Sequence, residues 1–409
     1  MYPSLIYLDR YHNEGTRNYS DQAGYTEALE QYRPNAETPW FKLTPFSLRR
    51  DMVNIYTAGP HPKLEQQYLP GNQAIFCIHP QVLQSVDHDP FLQTVLQAAS
   101  PLPPIPVIPS SSTRTLYVDS KELPAHALKV HFPFKVSRYS RKMRDEVIEQ
   151  AINVSLELEH HIAALDENFA FLREVLGLSI KQQQIVPKQE MLRGEHWGYL
   201  VREMTPFPQS TERRYLIPGF ALHGANYFAP NTPPLLIELI ASRHPLEYLL
   251  EQLMFPIIRH WVHCYLLLGY MLEPHGQNVL LEVNVQGDIQ RVVHRDLSVG
   301  IDMRRRRDQG LPEENLNMYN RMETGAFLSI TYDMFMGHHF FDPVIACAQK
   351  YFPTLQRKDF LEPCRTLFGN LFPDHDAYMP PTVHYFSSQR DAFGKPFYQD
   401  TCKKPTWRP

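Results

Sequence analysis

Apolar residues in this chain occur as short dense blocks and as longer stretches with helical spacing. Ala74-Ile-Phe-Cys-Ile78, bounded by Gly71-Asn72 and His79-Pro80, predicts a buried strand. Arg114–Val118, Ala127–Val136 and Gly198–Glu203 predict three more. From Arg144 to Gly177 the apolar positions keep a 3.6-like period through Val147, Ile148, Ala151, Ile152, Leu156 and Leu158, then Phe169, Leu172 and Leu176. This predicts two helices broken near Asp166, with Gly177 as the cap. Leu246–Leu272 predicts a helix bent or broken where Pro256 removes a backbone donor. Glu273–Leu297 reads as a turn, an apolar strand, a turn at Gly287-Asp288 and a second apolar strand, which makes a hairpin. Residues 1–70 are polar, weakly periodic and read as a loop-rich lead-in with a short helix near Tyr25–Tyr32. Leu102–Pro109 is proline-dense and reads as an extended connector. The last third reads as largely helical, with Pro380–Pro409 wrapping the surface. No internal repeat is present.

Composition narrows the class. The 409 residues are 43% hydrophobic and 21% charged, which suits a globular protein of more than one lobe. A formal net charge of −4 gives no electrostatic reason to expect nucleic-acid or membrane binding. The five cysteines are scattered, without Cys-x-x-Cys spacing, which argues against disulfides or a zinc site and for a reducing compartment. The N-terminus lacks the basic and apolar regions of a signal peptide. The most apolar window, Trp261–Leu272, falls short of the roughly 20 residues that a membrane span needs. A soluble cytoplasmic protein is expected.

Several motifs suggest chemistry with phosphate. The predicted hairpin brings His275, Gln277 and Asn278 beside Asp296, and an amide oxygen next to a carboxylate suits Mg²⁺, which usually arrives with substrate phosphates. Ser110-Ser-Ser-Thr-Arg-Thr115 joins hydroxyls to a guanidinium at a turn, either a phosphate cradle or a plain serine-rich loop. Lys129, Lys135, Arg138 and Arg141 gather several cations near one strand face, which is equally the pattern of a solvated face. The His-Arg-Asp-Leu at 294–297 invites a protein-kinase reading. That fails, since Ile301 stands where the catalytic loop needs Asn and no glycine-rich loop precedes it. An aminoglycoside-type kinase wants an Asp where this chain has Gln277. Arg304–Arg307 reads as a solvated turn and Cys264 as core.

The order of these motifs carries more than any one of them. His79-Pro80, Ser112-Thr-Arg-Thr115, Lys129 with Arg141 twelve residues on, Arg202-Glu203, His275-Gly-Gln-Asn278 and Arg295-Asp296 follow one another. In this the chain resembles the IucA/IucC-like siderophore synthetases, which work without a nonribosomal peptide synthetase. The resemblance covers roughly residues 70–350, with the N-terminal part shortened. It implies an α+β, open-hand architecture of fingers, thumb and palm, with antiparallel sheets, a helical C-terminal part, and ATP between thumb and palm. The corresponding parts are a reduced fingers segment at 1–70, a thumb-like part at 71–240 and a palm-like part at 241–409. The activity implied is ligation: a citrate-like polycarboxylic acid is activated by ATP as an acyl-adenylate and condensed with an amine or alcohol. Ser112, Arg114 and Thr115 would hold ATP phosphates, and Lys129 and Arg141 would neutralise charge during adenylation. His275 would sit by the α-phosphate. Gln277, Asn278 and Asp296 would hold nucleotide and Mg²⁺, with Glu273 assisting as a metal ligand. A homodimer is a further expectation. The alternatives are a nucleotide-binding relative acting as an accessory subunit and a small-molecule kinase. Gln81 and Leu297 depart from the family's aromatics at those positions.

Overall fold

Blocks of Ile, Val, Leu, Phe and Tyr between residues 41 and 203 pair into one antiparallel nine-stranded sheet. Its order is Val53–Thr57, Glu174–Ile180, Gly198–Glu203, His126–Val130, Thr115–Val118, Ile105–Pro109, Phe41–Arg49 and Gln73–Ile78, with Ser100–Pro101 added beside Phe41–Arg49. This computed structural model describes residues 2–14, 24–85, 87, 89–137, 139–181, 197–212, 214–313, 321–390 and 396–409. The chain divides into two units. One comprises Ser20–Leu158 and Leu172–Pro206, and the other Met1–Tyr19, Glu159–Phe171 and Phe207–Pro409.

The first unit contains the large sheet and a two-stranded ribbon of Phe132–Val136 with Tyr139–Arg141. Helix Asp145–His161 begins as expected and packs on the sheet through Ile148. A β-carbon at Gly177 or Gly198 would come within 2.3 Å of that side chain, so both strands need glycine where the helix crosses them. The second half of the predicted helical region is different. Asp166 turns the chain, accepting from the Phe169 amide through its carbonyl, and Phe169–Phe171 and Glu174–Ile180 are strands. Every residue of Glu174–Ile180 is buried, so the strand shows no alternation, and its apolar run imitates a helical period by chance.

Two other segments differ from expectation. Residues before 70 supply the sheet strands Phe41–Arg49 and Val53–Thr57, the first alternating in burial along a run that Pro45 disguises. The proline-dense connector includes the strand Ile105–Pro109, flanked on both sides although Pro106 and Pro109 each remove a ladder donor. Arg202 and Glu203, read as a motif, make cross-strand ion pairs with Glu174 and Arg173.

The second unit contains the predicted hairpin. Val279–Val283 pairs antiparallel with Ile289–His294, and Tyr215–Pro218 and Phe169–Phe171 flank the pair, the latter in parallel. A three-stranded sheet and a terminal hairpin complete its strands. The helix before the hairpin runs over Phe255–Leu268, preceded by a π-helical turn at Tyr248–Met254 that absorbs Pro256, and Gly269 ends it in the left-handed region. Among the described residues no helix is long and apolar enough to cross a membrane. The four arginines at 304–307 are no solvated turn. Arg305 and Arg306 donate to the Leu266 and Leu268 carbonyls, capping that helix's C-terminus, and Arg306 is buried. The fold class is therefore α+β, with antiparallel sheets and a helical C-terminal part.

Most of the described residues between 384 and 406 lie at or near the surface, as expected, but two that follow enter the core. Trp407 and Arg408 are buried, and the Arg408 guanidinium donates Nε to both Asp333 oxygens at 3.1 Å. Ser329 donates to the same carboxylate. Removing one member of such a pair leaves a buried charge uncompensated. Arg408→Met should lower stability by about 3–5 kcal/mol, read as a shifted denaturant midpoint; a change below about 1 kcal/mol would contradict this packing.

Candidate functional site

Two clusters collect the residues singled out above, one in each unit. In the first, the turn Ser110–Thr115 closes on itself. The Ser110 amide donates to the Thr115 carbonyl at 2.9 Å, the Ser112 hydroxyl accepts from the Thr115 amide, and Ser110 and Ser112 share a hydroxyl hydrogen bond of 2.9 Å. Thr113 takes φ +67°, a conformation that side-chain-bearing residues rarely adopt. Such strain persists only where the surroundings enforce it, and it gathers at functional sites.

Strand register then assembles the rest. Thr115 lies directly opposite Lys129, and the Val130 amide donates to the Arg114 carbonyl. The Arg114 guanidinium reaches the next ribbon, where Nη1 donates to the Arg141 and Lys142 carbonyls at 3.0 and 3.3 Å and meets Met143 Sδ at 3.1 Å. Lys129 is buried within the sheet, while Arg141 is half-buried with its Nε facing no acceptor among the described residues. Ser112, Arg114, Thr115, Lys129 and Arg141 therefore meet at one corner. Lys135 instead stands exposed on the ribbon, and Arg138 lies outside the described residues.

The second cluster forms where the hairpin's ends meet. The His275 carbonyl accepts from the Asn278 amide at 2.9 Å, and His275 Nδ1 accepts from the Gln277 amide at 3.2 Å. In the neutral ring this leaves the hydrogen on Nε2. Phe335 meets the imidazole edge-on. Gly276 passes so close to Phe220 that a β-carbon there would lie 2.9 Å from its amide nitrogen, and that amide donates to the Gly276 carbonyl. Across the hairpin, the Arg295 amide donates to the Asn278 carbonyl at 2.9 Å, and Arg295 Nε donates to the Gln277 carbonyl at 2.6 Å. Asp296 follows with φ +73°. Glu273, His275, Gln277, Asn278 and Asp296 thus share one loop pair.

One residue of this cluster escaped the sequence. Asp9, buried on helix Leu5–Tyr11, accepts from Arg295 Nη2 at 2.9 Å, 286 residues away. Nothing in the local run Leu8-Asp9-Arg10 signals that partner. His294, next to Arg295, is buried, stacked on Phe169 and close to His260. Burial, with His260 adding to it, pushes its pKa down to about 3. His79, ahead of Pro80, is likewise held down at about 3 by burial, and its Nδ1 caps the following turn. Both are therefore structural and neutral. The unfolded chain takes up these protons near pH 6.5, so the stability they confer is full above that value and is lost as pH falls towards about 3. Unfolding free energies at pH 7 and pH 5 should differ by about 2 kcal/mol for each such histidine. His294→Phe should remove its share of that slope; an unchanged slope would contradict the assignment.

Residues 23–222 match the family described as IucA / IucC family, and residues 246–403 match that described as ferric iron reductase FhuF-like transporter. No curated protein matches the chain in sequence. Solved structures of similar fold include the petrobactin biosynthesis protein AsbB from Bacillus anthracis str. Sterne, with TM-score 0.68, 14% identity, and coverage of 92% of this chain and 71% of that one. Aerobactin synthetase IucC from a hypervirulent pathotype of Klebsiella pneumoniae gives 0.67 and 15%, over 89% and 67%. The ATP-bound aerobactin synthetase IucA from such a pathotype gives 0.69 and 13%, over 94% and 74%. The first cluster lies within the first family match and the second, apart from Asp9, within the other. Residues 23–222 thus match the IucA / IucC family, and the chain shares its fold along nearly its whole length with these solved proteins.

Proposed function

We propose that this chain is an ATP-dependent ligase that activates a citrate-like carboxylate as an acyl-adenylate and condenses it with an amine or alcohol in siderophore assembly. The observation that carries the reading is the convergence of Ser112, Arg114, Thr115, Lys129 and Arg141 on one corner of the sheet. Hydroxyls, an ammonium and guanidinium groups gathered there suit a triphosphate, whose charge rises at the α-phosphorus during attack by a carboxylate. The solved structures support the same reading, since they are a petrobactin biosynthesis protein and two aerobactin synthetases, one of them ATP-bound.

The roles follow from chemistry. Ser112 and Thr115 offer hydroxyls to phosphate oxygens, while Arg114 sets the cationic corner. Lys129 and Arg141 offset the charge that develops as the carboxylate oxygen bonds to the α-phosphorus and pyrophosphate departs. His275, its tautomer set by the Gln277 amide, presents Nε2–H as a donor suited to a phosphate oxygen. Gln277 and Asn278 orient the nucleotide. The amine or alcohol then attacks the acyl carbon and AMP leaves, a step that needs chiefly positioning. Among the described residues no group of three or more His, Cys, Asp or Glu side chains is placed to hold a metal. Mg²⁺ nevertheless commonly takes one or two carboxylates and fills its shell with phosphates and water, and Asp296, Glu273 and the Asn278 amide fit that use. Bound there, it would supply further charge to the phosphates.

Pyrophosphate release measured with ATP across a panel of citrate-like acids should depend on one of them. Arg114→Ala should cut that release by about 10²–10³-fold. ATP binding by folded protein without release on any acid would overturn the ligase reading.

A further inference from the structure

The cationic corner rests on a ring stack that none of its motifs includes. His131 is the single residue between the sheet strand His126–Val130 and the ribbon strand Phe132–Val136. Its imidazole lies flat on the Trp197 indole, with centroids 4.2 Å apart and planes 26° apart, and Phe91 stacks on Trp197 as well. His131 and Trp197 are both buried. From that position His131 Nδ1 accepts the Met143 amide at 3.2 Å.

Met143 closes the short segment that Arg114 grips. Arg114 Nη1 donates to the carbonyls of Arg141 and Lys142 and contacts Met143 Sδ. The Arg141–Met143 backbone is thus tied twice, by Arg114 through its carbonyls and by His131 through its last amide. Only the second tie comes from a ring whose orientation is locked by stacking. A buried amide without an acceptor is costly, so loss of Nδ1 would drive this segment to rearrange and carry both guanidinium groups with it.

We propose that His131, clamped by Trp197, is a positioning residue that sets the Arg114–Arg141 geometry for triphosphate binding. This rests on the ligase reading given above. The test compares two variants. His131→Phe keeps a stacking ring and removes the acceptor. His131→Asn sacrifices ring area and restores an acceptor near Nδ1. ATP affinity by titration calorimetry, the KM for ATP, and hydrogen exchange of the peptide spanning residues 139–145 are read for both.

His131→Phe should weaken ATP binding and raise the KM for ATP by about tenfold, with a smaller change in kcat. Its 139–145 peptide should exchange faster, and His131→Asn should recover most of both losses. Wild-type affinity and exchange in His131→Phe would overturn the proposal, as would equal losses in the two variants, which indicate a role in packing alone. Wild-type protein that binds no ATP would sink the ligase reading, while the exchange data would still decide whether His131 holds the segment. Should His131→Phe fail to fold, Trp197→Leu removes the clamp and leaves Nδ1. Faster exchange at 139–145 would then support the proposal and unchanged exchange would overturn it.

Discussion

Both candidate clusters depend on an arginine that is engaged by the protein's own backbone. Arg114 donates to the carbonyls of Arg141 and Lys142, and Arg295 donates to the carbonyl of Gln277 while its other arm meets the buried carboxylate of Asp9. A guanidinium offers five donors in a rigid plane, so it can tie two chain segments at a fixed angle. Each of these two ties a motif that is short in sequence to a segment that is remote. Arg305, Arg306 and Arg408 do similar work elsewhere in the second unit.

This use of arginine has an energetic logic. A loop of Ser, Thr, Gly and Asn has little apolar surface with which to order itself, and ordering it costs about 1–2 kcal/mol per residue in backbone entropy. Charge-assisted hydrogen bonds to main-chain carbonyls offset that cost without closing the loop to a ligand. The same clusters contain Thr113 and Asp296 in left-handed conformations, which a loosely held loop would relax. Preorganisation of this kind is what adenylation asks of a protein, because the charge to be stabilised develops faster than loops rearrange.

Much of this was legible beforehand, and the exceptions have physical causes. The hairpin of Val279–Val283 with Ile289–His294 announced itself through two apolar runs around Gly287-Asp288, and so brought Asn278 to Arg295. The π-helical turn before Phe255–Leu268 lies where Pro256 was expected to interrupt the helix. Glu174–Ile180 did not declare itself, because a strand buried on both faces loses the alternation that marks a strand. Ile105–Pro109 was hidden by prolines that a flanked strand seldom tolerates. Asp9 could not be assigned a partner, since nothing local specifies an ion pair across 286 residues. The order of short motifs pointed to the family whose model matches residues 23–222, whereas local patterning reflects only burial.

The claim at the centre is that internal arginine ties, not ligand contacts alone, make the clusters competent. A double-mutant cycle on Asp9→Asn and Arg295→Met, read by the dissociation constant for ATP, addresses it most directly. The account predicts that each single change weakens ATP binding by about tenfold or more and that the double variant is no worse than the weaker single. Strictly additive losses, or wild-type affinity in Asp9→Asn, would contradict it.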